Sequence, residues 1–126
     1  MSDRAPIKTF TDLEVYKSSH KLAMKIFFLS KKFPVEERYS LTDQIRRSSR
    51  SIAANIAEGW GKRIFPLQFK RHLVDSLGSL EETKSWILFS RDCEYLQSID
   101  FEELFNEYDN LGGKIWKLHE VWKGNS

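Results

Sequence analysis

The chain has 126 residues, 40% hydrophobic and 30% charged, which suits one globular domain spanning residues 1–126 and excludes two full-sized ones. Its 20 basic and 18 acidic side chains leave a formal charge of only +2, so bulk charge does not hold it to nucleic acid and any electrostatic function must lie in local distribution. Cys93 is the only cysteine, which excludes an internal disulfide and a cysteine-based zinc site and fits a reducing, cytoplasmic compartment. No apolar run approaches the roughly 18 residues of a membrane span, and Met1–Pro6 lacks a signal-peptide core, so neither membrane insertion nor secretion is expected.

The first helix is expected over about residues 12–32. Thr11 and Glu14 have capping-box spacing, Leu22, Ile26, Leu29 and Phe33 form the core stripe, and Phe33-Pro34 ends it. After the charged turn Val35–Tyr39, Ser40 and Asp43 mark a second helix over about 41–60, with Leu41, Ile45, Ile52 and Ile56 on one face. Gly59 or Gly61 should stop it by adopting left-handed backbone, with Trp60 covering an apolar edge.

Pro66 suits the first turn of a third helix, about 66–93, carrying Phe69, Leu73, Leu77, Leu80 and Ile87 at helical spacing. The fourth, about 101–123, starts with Asp100 as cap and Glu103 three residues on. Its apolar positions Leu104, Tyr108, Leu111, Ile115, Leu118 and Trp122 alternate steps of four and three, a heptad seam. No segment alternates with a two-residue period, so the expected fold is all-α, an antiparallel up-and-down four-helix bundle.

Phe27, Phe28, Trp86, Phe89, Phe101, Phe105, Trp116 and Val121 lie beside these stripes and widen the apolar faces. On a monomer such a surplus is an exposed patch, and in a homo-oligomer it is an interface, so self-association is expected.

Catalytic and metal signatures are weak. Gly59-Trp60-Gly61-Lys62-Arg63 has Ile56 where a Walker loop needs glycine, no Ser or Thr after Lys62 and no preceding strand. His20, His72 and His119 fall on three different helices with no paired ligand spacing, and read as surface or helix-boundary residues. No serine sits in a nucleophile elbow. Glu36-Glu37, Glu81-Glu82 and Glu102-Glu103 are neighbours that point different ways on a helix. The expectation is a protein without enzymatic activity, metal or cofactor. Glu58, Glu82 and a histidine gathered round one open cavity would argue otherwise.

Two polar patterns are more informative. Arg47, Ser51, Asn55 and Glu58 form a stripe beside the apolar face of the second helix. If that stripe faces another helix it must be hydrogen-bonded, with Glu82 the expected partner of Arg47, a structural network. Alternatively, Arg46, Arg47, Arg50, Lys62, Arg63, Lys70 and Arg71 form a basic surface for phosphate contacts. Over residues 41–75 these seven cations face Asp43, Glu58 and Asp75, a balance of +4, whereas residues 76–126 hold five cations and ten anions, a balance of −5. No RNA-binding motif with interleaved aromatics accompanies the basic positions.

The run Tyr39-Ser40-Leu41-Thr42-Asp43-Gln44-Ile45-Arg46-Arg47-Ser48, followed by Ser51-Ile52-Ala53-Ala54-Asn55-Ile56-Ala57-Glu58-Gly59, resembles the four-helix-bundle proteins encoded in bacterial 23S ribosomal RNA intervening sequences. Phe10–Tyr16, Phe33-Pro34 and Gly78-Ser79-Leu80-Glu81-Glu82 extend the resemblance over roughly residues 10–122. Ser40 stands where glycine is common, Ala53 where proline is frequent, and Ile64-Phe65 where a polar cap is usual. The resemblance implies antiparallel four-helix subunits assembling into homopentamers, with relatives serving as accessory proteins of diversity-generating retroelements. It makes Ser51, Asn55 and Glu58 structural candidates. The function expected is thus a non-enzymatic, oligomeric binding or assembly module associated with ribosomal RNA or other nucleic acid, the alternative being a scaffold that recruits a polymerase-type protein.

Overall fold

The structure, a computed structural model, describes residues 6–123; the segment Met1–Pro6, expected to lack a signal-peptide core, lies outside them except for Pro6, as do the last three residues of the expected domain. Four helices follow in order, α1 (Glu14–Ser30), α2 (Leu41–Gly61), α3 (Pro66–Asp92) and α4 (Ser98–Val121), with 3-10 turns at Phe10–Asp12 and Val35–Glu37. There is no strand among the described residues. Each helix packs on its neighbours in sequence, and α1 closes on α4, with α2 and α3 the most extensive pair. Consecutive helices joined by short connections and packed side by side form an up-and-down four-helix bundle.

The core is the one the heptad stripes describe. Ile26, Ile45, Ile52, Ile56, Phe69, Leu73, Leu80, Ile87, Leu104, Tyr108 and Ile115 are each at most 1% exposed. Burying such a side chain contributes about 1.5–3 kcal/mol, which is why the 3.6-residue period governs the fold. Leu29, Leu77, Leu118 and Trp122, assigned to the same stripes, are only partly buried and pack on the rim of that core.

Helix ends depart from expectation in four places. The capping exchange expected between Thr11 and Glu14 lies two residues earlier, between Thr9 and Asp12. Asp12 Oδ2 accepts from the amides of Lys8 and Thr9 at 2.9 and 3.0 Å, and Thr9 Oγ1 accepts from the Thr11 amide at 3.2 Å. These bonds close a 3-10 turn, and α1 then starts at Glu14 with no side-chain cap. The amide bonds hold the Asp12 carboxyl below its usual range.

Ser40 does not cap α2 itself. Its hydroxyl donates to Glu37 Oε1 at 2.6 Å, and Glu37 Oε1 accepts from the Leu41 amide at 3.4 Å. Tyr95 Oη donates to Glu37 Oε2 at 2.9 Å, so the α3–α4 turn is tied to the α1–α2 connection. The hydrogen bonds from Ser40 and Tyr95 lower the Glu37 carboxyl, and the bond to Glu37 raises the Tyr95 phenol to about 12.

Asp100 is not the cap of α4 but its third residue, because the helix begins two residues earlier, after Gln97. In that first turn its charge still faces the positive end of the helix dipole.

Gly59 and Gly61 do not end α2 by turning left-handed, since both lie inside the helix. Gly59 is needed for space: a Cβ there would sit 2.7 Å from His72 Cβ and 3.0 Å from Phe69 Cδ1.

The left-handed residue is Glu94, with φ 65°. It follows α3 as the pivot of a Schellman closure, with the Tyr95 amide on the Ser90 carbonyl and the Glu94 amide on that of Arg91, each at 2.9 Å. An L-residue in this conformation carries strain that glycine relieves. Glu94→Gly should therefore raise stability by about 0.5–1 kcal/mol, read as a higher urea midpoint at unchanged slope. A lowered midpoint would refute the assignment of strain to this turn.

Candidate nucleic-acid interface

The polar stripe of α2 faces α3. Arg47 Nη2 donates to Glu82 Oε2 at 2.7 Å and to Gln44 Oε1 at 2.7 Å, and Trp86 Nε1 donates to the same Glu82 oxygen at 3.0 Å. Ser51 Oγ lies 2.9 Å from Ser79 Oγ, and Asn55 Nδ2 donates to the Ser51 carbonyl at 3.0 Å. Asn55 Oδ1 is 3.2 Å from His72 Nδ1, while His72 Nε2 is 3.2 Å from Lys62 Nζ. An acceptor on one ring nitrogen and an ammonium on the other select the Nδ1–H tautomer. Lys62 also reaches Glu58 Oε2 at 3.2 Å, with His72 Nε2 3.6 Å from that oxygen.

His72 thus belongs to the network rather than to the open surface. Its ring has one face of the seam because Gly59 lets α3 approach α2 so closely. Beneath it runs a buried row that sequence reasoning missed. Ser76 Oγ donates to the Ile52 carbonyl at 3.0 Å, and Thr83 Oγ1 sits 2.9 Å from Ser48 Oγ and 2.8 Å from the Ser79 carbonyl. Ser48, Ser76 and Thr83 are fully buried. The signal was present as His72, Ser76, Ser79 and Thr83, polar residues in steps of four, three and four opposite Ser51, Asn55 and Gly59.

The seven cations assigned to one basic surface divide into two groups. Arg46, Arg47 and Arg50 stand in the first half of α2, about 18–24 Å along the axis from Lys62, given 1.5 Å per residue. In the second group Lys62 is bound to Glu58 and His72, Arg63 Nη1 donates to the Trp60 carbonyl at 2.9 Å and its guanidinium stacks 4.2 Å from the Trp60 ring centroid. Lys70 is half-buried and Arg71 exposed.

The first group opens onto a recess of about 730 Å³ between the end of α1, the α1–α2 connection and the start of α2. Lys31 and Arg38, which the sequence did not single out, line it with Arg46, Arg47 and Arg50; Asp43 is its one carboxylate. Lys31 Nζ and the guanidinium carbons of Arg46 and Arg50 lie 4.8, 4.9 and 5.9 Å from the centroid of a single ring, Phe27. Arg46 Nε is held by Ser30 Oγ at 2.8 Å. Among the described residues, no carboxylate lies within ion-pair distance of Lys31, Arg38, Arg46 or Arg50.

A second, smaller recess of about 340 Å³ lies between α3 and α4, lined by Leu77, Tyr108, Gly112, Gly113 and Trp116 among others. Neither recess is lined by Glu58, His72 or Glu82. No group of three metal-ligating side chains occurs among the described residues, and no described helix is long and apolar enough to cross a membrane. Cys93 is exposed and unpaired.

The surplus apolar residues divide as well. Phe27, Trp86, Phe101 and Phe105 are half-buried. Phe28, Phe89, Trp116 and Val121 are 50–59% exposed, and Ile64, Phe65 and Leu67 form an apolar tip at the α2–α3 turn, 56–80% exposed.

Residues 11–117 match the family model described as 23S rRNA-intervening sequence protein. Among solved structures, the chain is similar to a protein of unknown function from the S23 ribosomal protein family of Bacteroides thetaiotaomicron. The two are 25% identical, the match covers 85% of this chain and 96% of that one, and the TM-score is 0.77. No curated protein matches the chain.

Proposed function

Because the chain belongs to the 23S rRNA-intervening sequence protein family, we propose that it is a non-enzymatic, cytoplasmic assembly module that associates with RNA through the cations at the start of α2. The observation that carries this reading is the recess where Lys31, Arg38, Arg46 and Arg50 converge with no carboxylate of the described residues within ion-pair distance. Like charges held this close repel one another, and a polyanion relieves that repulsion while releasing its own counterions. The groups on which an acid–base site would draw, Glu58, His72 and Glu82, are instead engaged in the α2–α3 seam.

The test is binding of structured ribosomal RNA over a salt series, with Arg46, Arg47 and Arg50 changed together to Ala. If each contacts one phosphate, the slope of log K against log salt becomes shallower by about 2–3 and affinity at low salt falls steeply. Binding and slope equal to those of the unaltered protein would remove this surface.

Assembly is the second half of the proposal, as a homopentamer. Its support is the set of exposed Phe28, Phe89, Trp116 and Val121, the notch that Gly112 and Gly113 leave beside Trp116, and a basic middle followed by an acidic last portion. Opposite charges on one chain favour a head-to-tail contact, which forms a ring where its rotation closes. Light scattering should find one species of about five chain masses, each 14.9 kDa, and a monomer persisting at micromolar concentration would defeat the ring.

The exposed tip of Ile64, Phe65 and Leu67 favours a second reading, a scaffold that recruits a polymerase-type protein. Genomic neighbourhood separates the two, a ribosomal RNA insertion supporting the first and a retroelement cassette the second.

A further inference from the structure

The recess at the start of α2 is more selective than a basic stripe. Lys31, Arg46 and Arg50 all lie within 5.9 Å of the Phe27 ring centroid, so no two of these charges are further apart than about 11 Å, roughly one Debye length at 0.1 M salt. Arg38 and Arg47 line the same recess, against the single carboxylate of Asp43. Phe33, Pro34 and Val35 add an apolar part to the lining.

A bridging phosphodiester brings one negative charge and two free oxygens to such a site. A phosphate monoester brings nearly two charges at neutral pH and three acceptor oxygens, a closer match to several guanidinium forks. The volume of about 730 Å³ admits a nucleotide as well as its phosphate, and the apolar residues Phe33, Pro34 and Val35 of the lining suit the face of a base.

Thr42 adds an independent observation. It lines the recess, it is 7% exposed, and its Oγ1 is buried with no hydrogen-bond partner. A buried hydroxyl without a partner is uncommon, and this one belongs to a residue of the recess lining, where an anion would supply the missing acceptor.

We propose that this recess binds a terminal phosphate monoester, and, resting on the RNA-binding reading above, that its source is the phosphorylated end of an RNA strand. Arg46 and Arg50 hold the phosphate oxygens, Lys31 and Arg38 complete the charge, and Thr42 donates the neutral hydrogen bond. A free nucleotide offers the same chemistry from another source.

The test uses the full chain and fluorescence anisotropy with short RNAs of one sequence, carrying a 5′-phosphate, a 3′-phosphate or neither. Adenosine 5′-monophosphate and inorganic phosphate serve as competitors. The expected result is at least about tenfold tighter binding of one phosphorylated RNA, competed by the mononucleotide and lost in Lys31→Gln/Arg38→Gln, whose exposed side chains leave the core untouched. Thr42→Val should weaken the phosphorylated RNA alone while leaving the melting temperature unchanged or raised, since it removes an unsatisfied hydroxyl.

Equal affinity for all three RNAs, unchanged by these substitutions, overturns the monoester site and leaves RNA binding standing. Mononucleotide binding without RNA binding supports the phosphate site and overturns RNA as its source. Binding of neither overturns both.

Discussion

Phe69→Ala should cost about 3–5 kcal/mol of folding stability, as expected when a fully buried phenyl ring is cut to a methyl group and the cavity cannot collapse. Phe69 is 0% exposed. Its ring makes edge contacts with Trp60 and Trp122 at centroid distances of 6.0 and 4.7 Å, and those two indoles are 5.9 Å from each other. This cluster joins α2 and α3 to the residue following α4, so the cavity would open where three chain segments meet. Against a total of about 5–15 kcal/mol for a small domain, the loss is large. Urea unfolding followed by tryptophan fluorescence measures it, and the native emission should shift because two indoles lose their neighbour. Leu67→Ala, two residues away and 80% exposed, is the control, expected within about 0.5 kcal/mol of the unaltered protein. Equal losses in the two variants would refute the placement of Phe69 at the centre of this cluster.

Gly59→Val should cost about 2–3 kcal/mol by the opposite route, overpacking. Even a Cβ at this position meets His72 Cβ at 2.7 Å, an atom fixed to the α3 backbone that cannot swing aside. Relief requires α2 and α3 to separate. That movement would also stretch the Asn55–His72 contact, at 3.2 Å already near the limit of a hydrogen bond. The better helix propensity of a non-glycine residue recovers only a part, under about 1 kcal/mol. Gly61→Ala is the paired measurement, because a Cβ there meets nothing within 4 Å. It should be neutral or stabilising. Comparable destabilisation in both variants would mean that Gly59 serves backbone freedom rather than close approach.

Periodicity made the number of helices and most of the core legible, because burial of a stripe is a property each helix carries in its own residue spacing. Leu104, Tyr108, Leu111 and Ile115 are buried at the expected positions. The end of α3 was legible near Cys93, but not the strain on Glu94, since nothing in that side chain marks left-handed backbone. Caps were misplaced at Thr11 and Asp100 because several Thr, Ser and Asp residues compete within a turn, and the choice depends on which amides remain free. The pairing of Arg47 with Glu82 was legible from charge and spacing. His72 was not, because its role depends on an absent side chain at Gly59. Lys31 and Arg38 escaped notice because they belong to the recess only when the α1–α2 connection folds back beside Arg46. A single basic surface dissolved into two groups for a similar reason: distance along a helix separates residues that a charge sum treats together.

The α2–α3 seam also bears on the order in which the chain organises. The two helices are neighbours in sequence, joined only by residues 62–65, so their association closes a short loop at small entropic cost. The Ser51–Ser79 and Ser48–Thr83 hydroxyl pairs and the bond from Ser76 to the Ile52 carbonyl cross the seam in one alignment of the two helices, and a slip of one turn would break all three. The hairpin is thus local enough to form early and keyed enough to form in one register. It supplies a template on which α1 and α4 can dock, with the cationic recess completed only when α1 arrives.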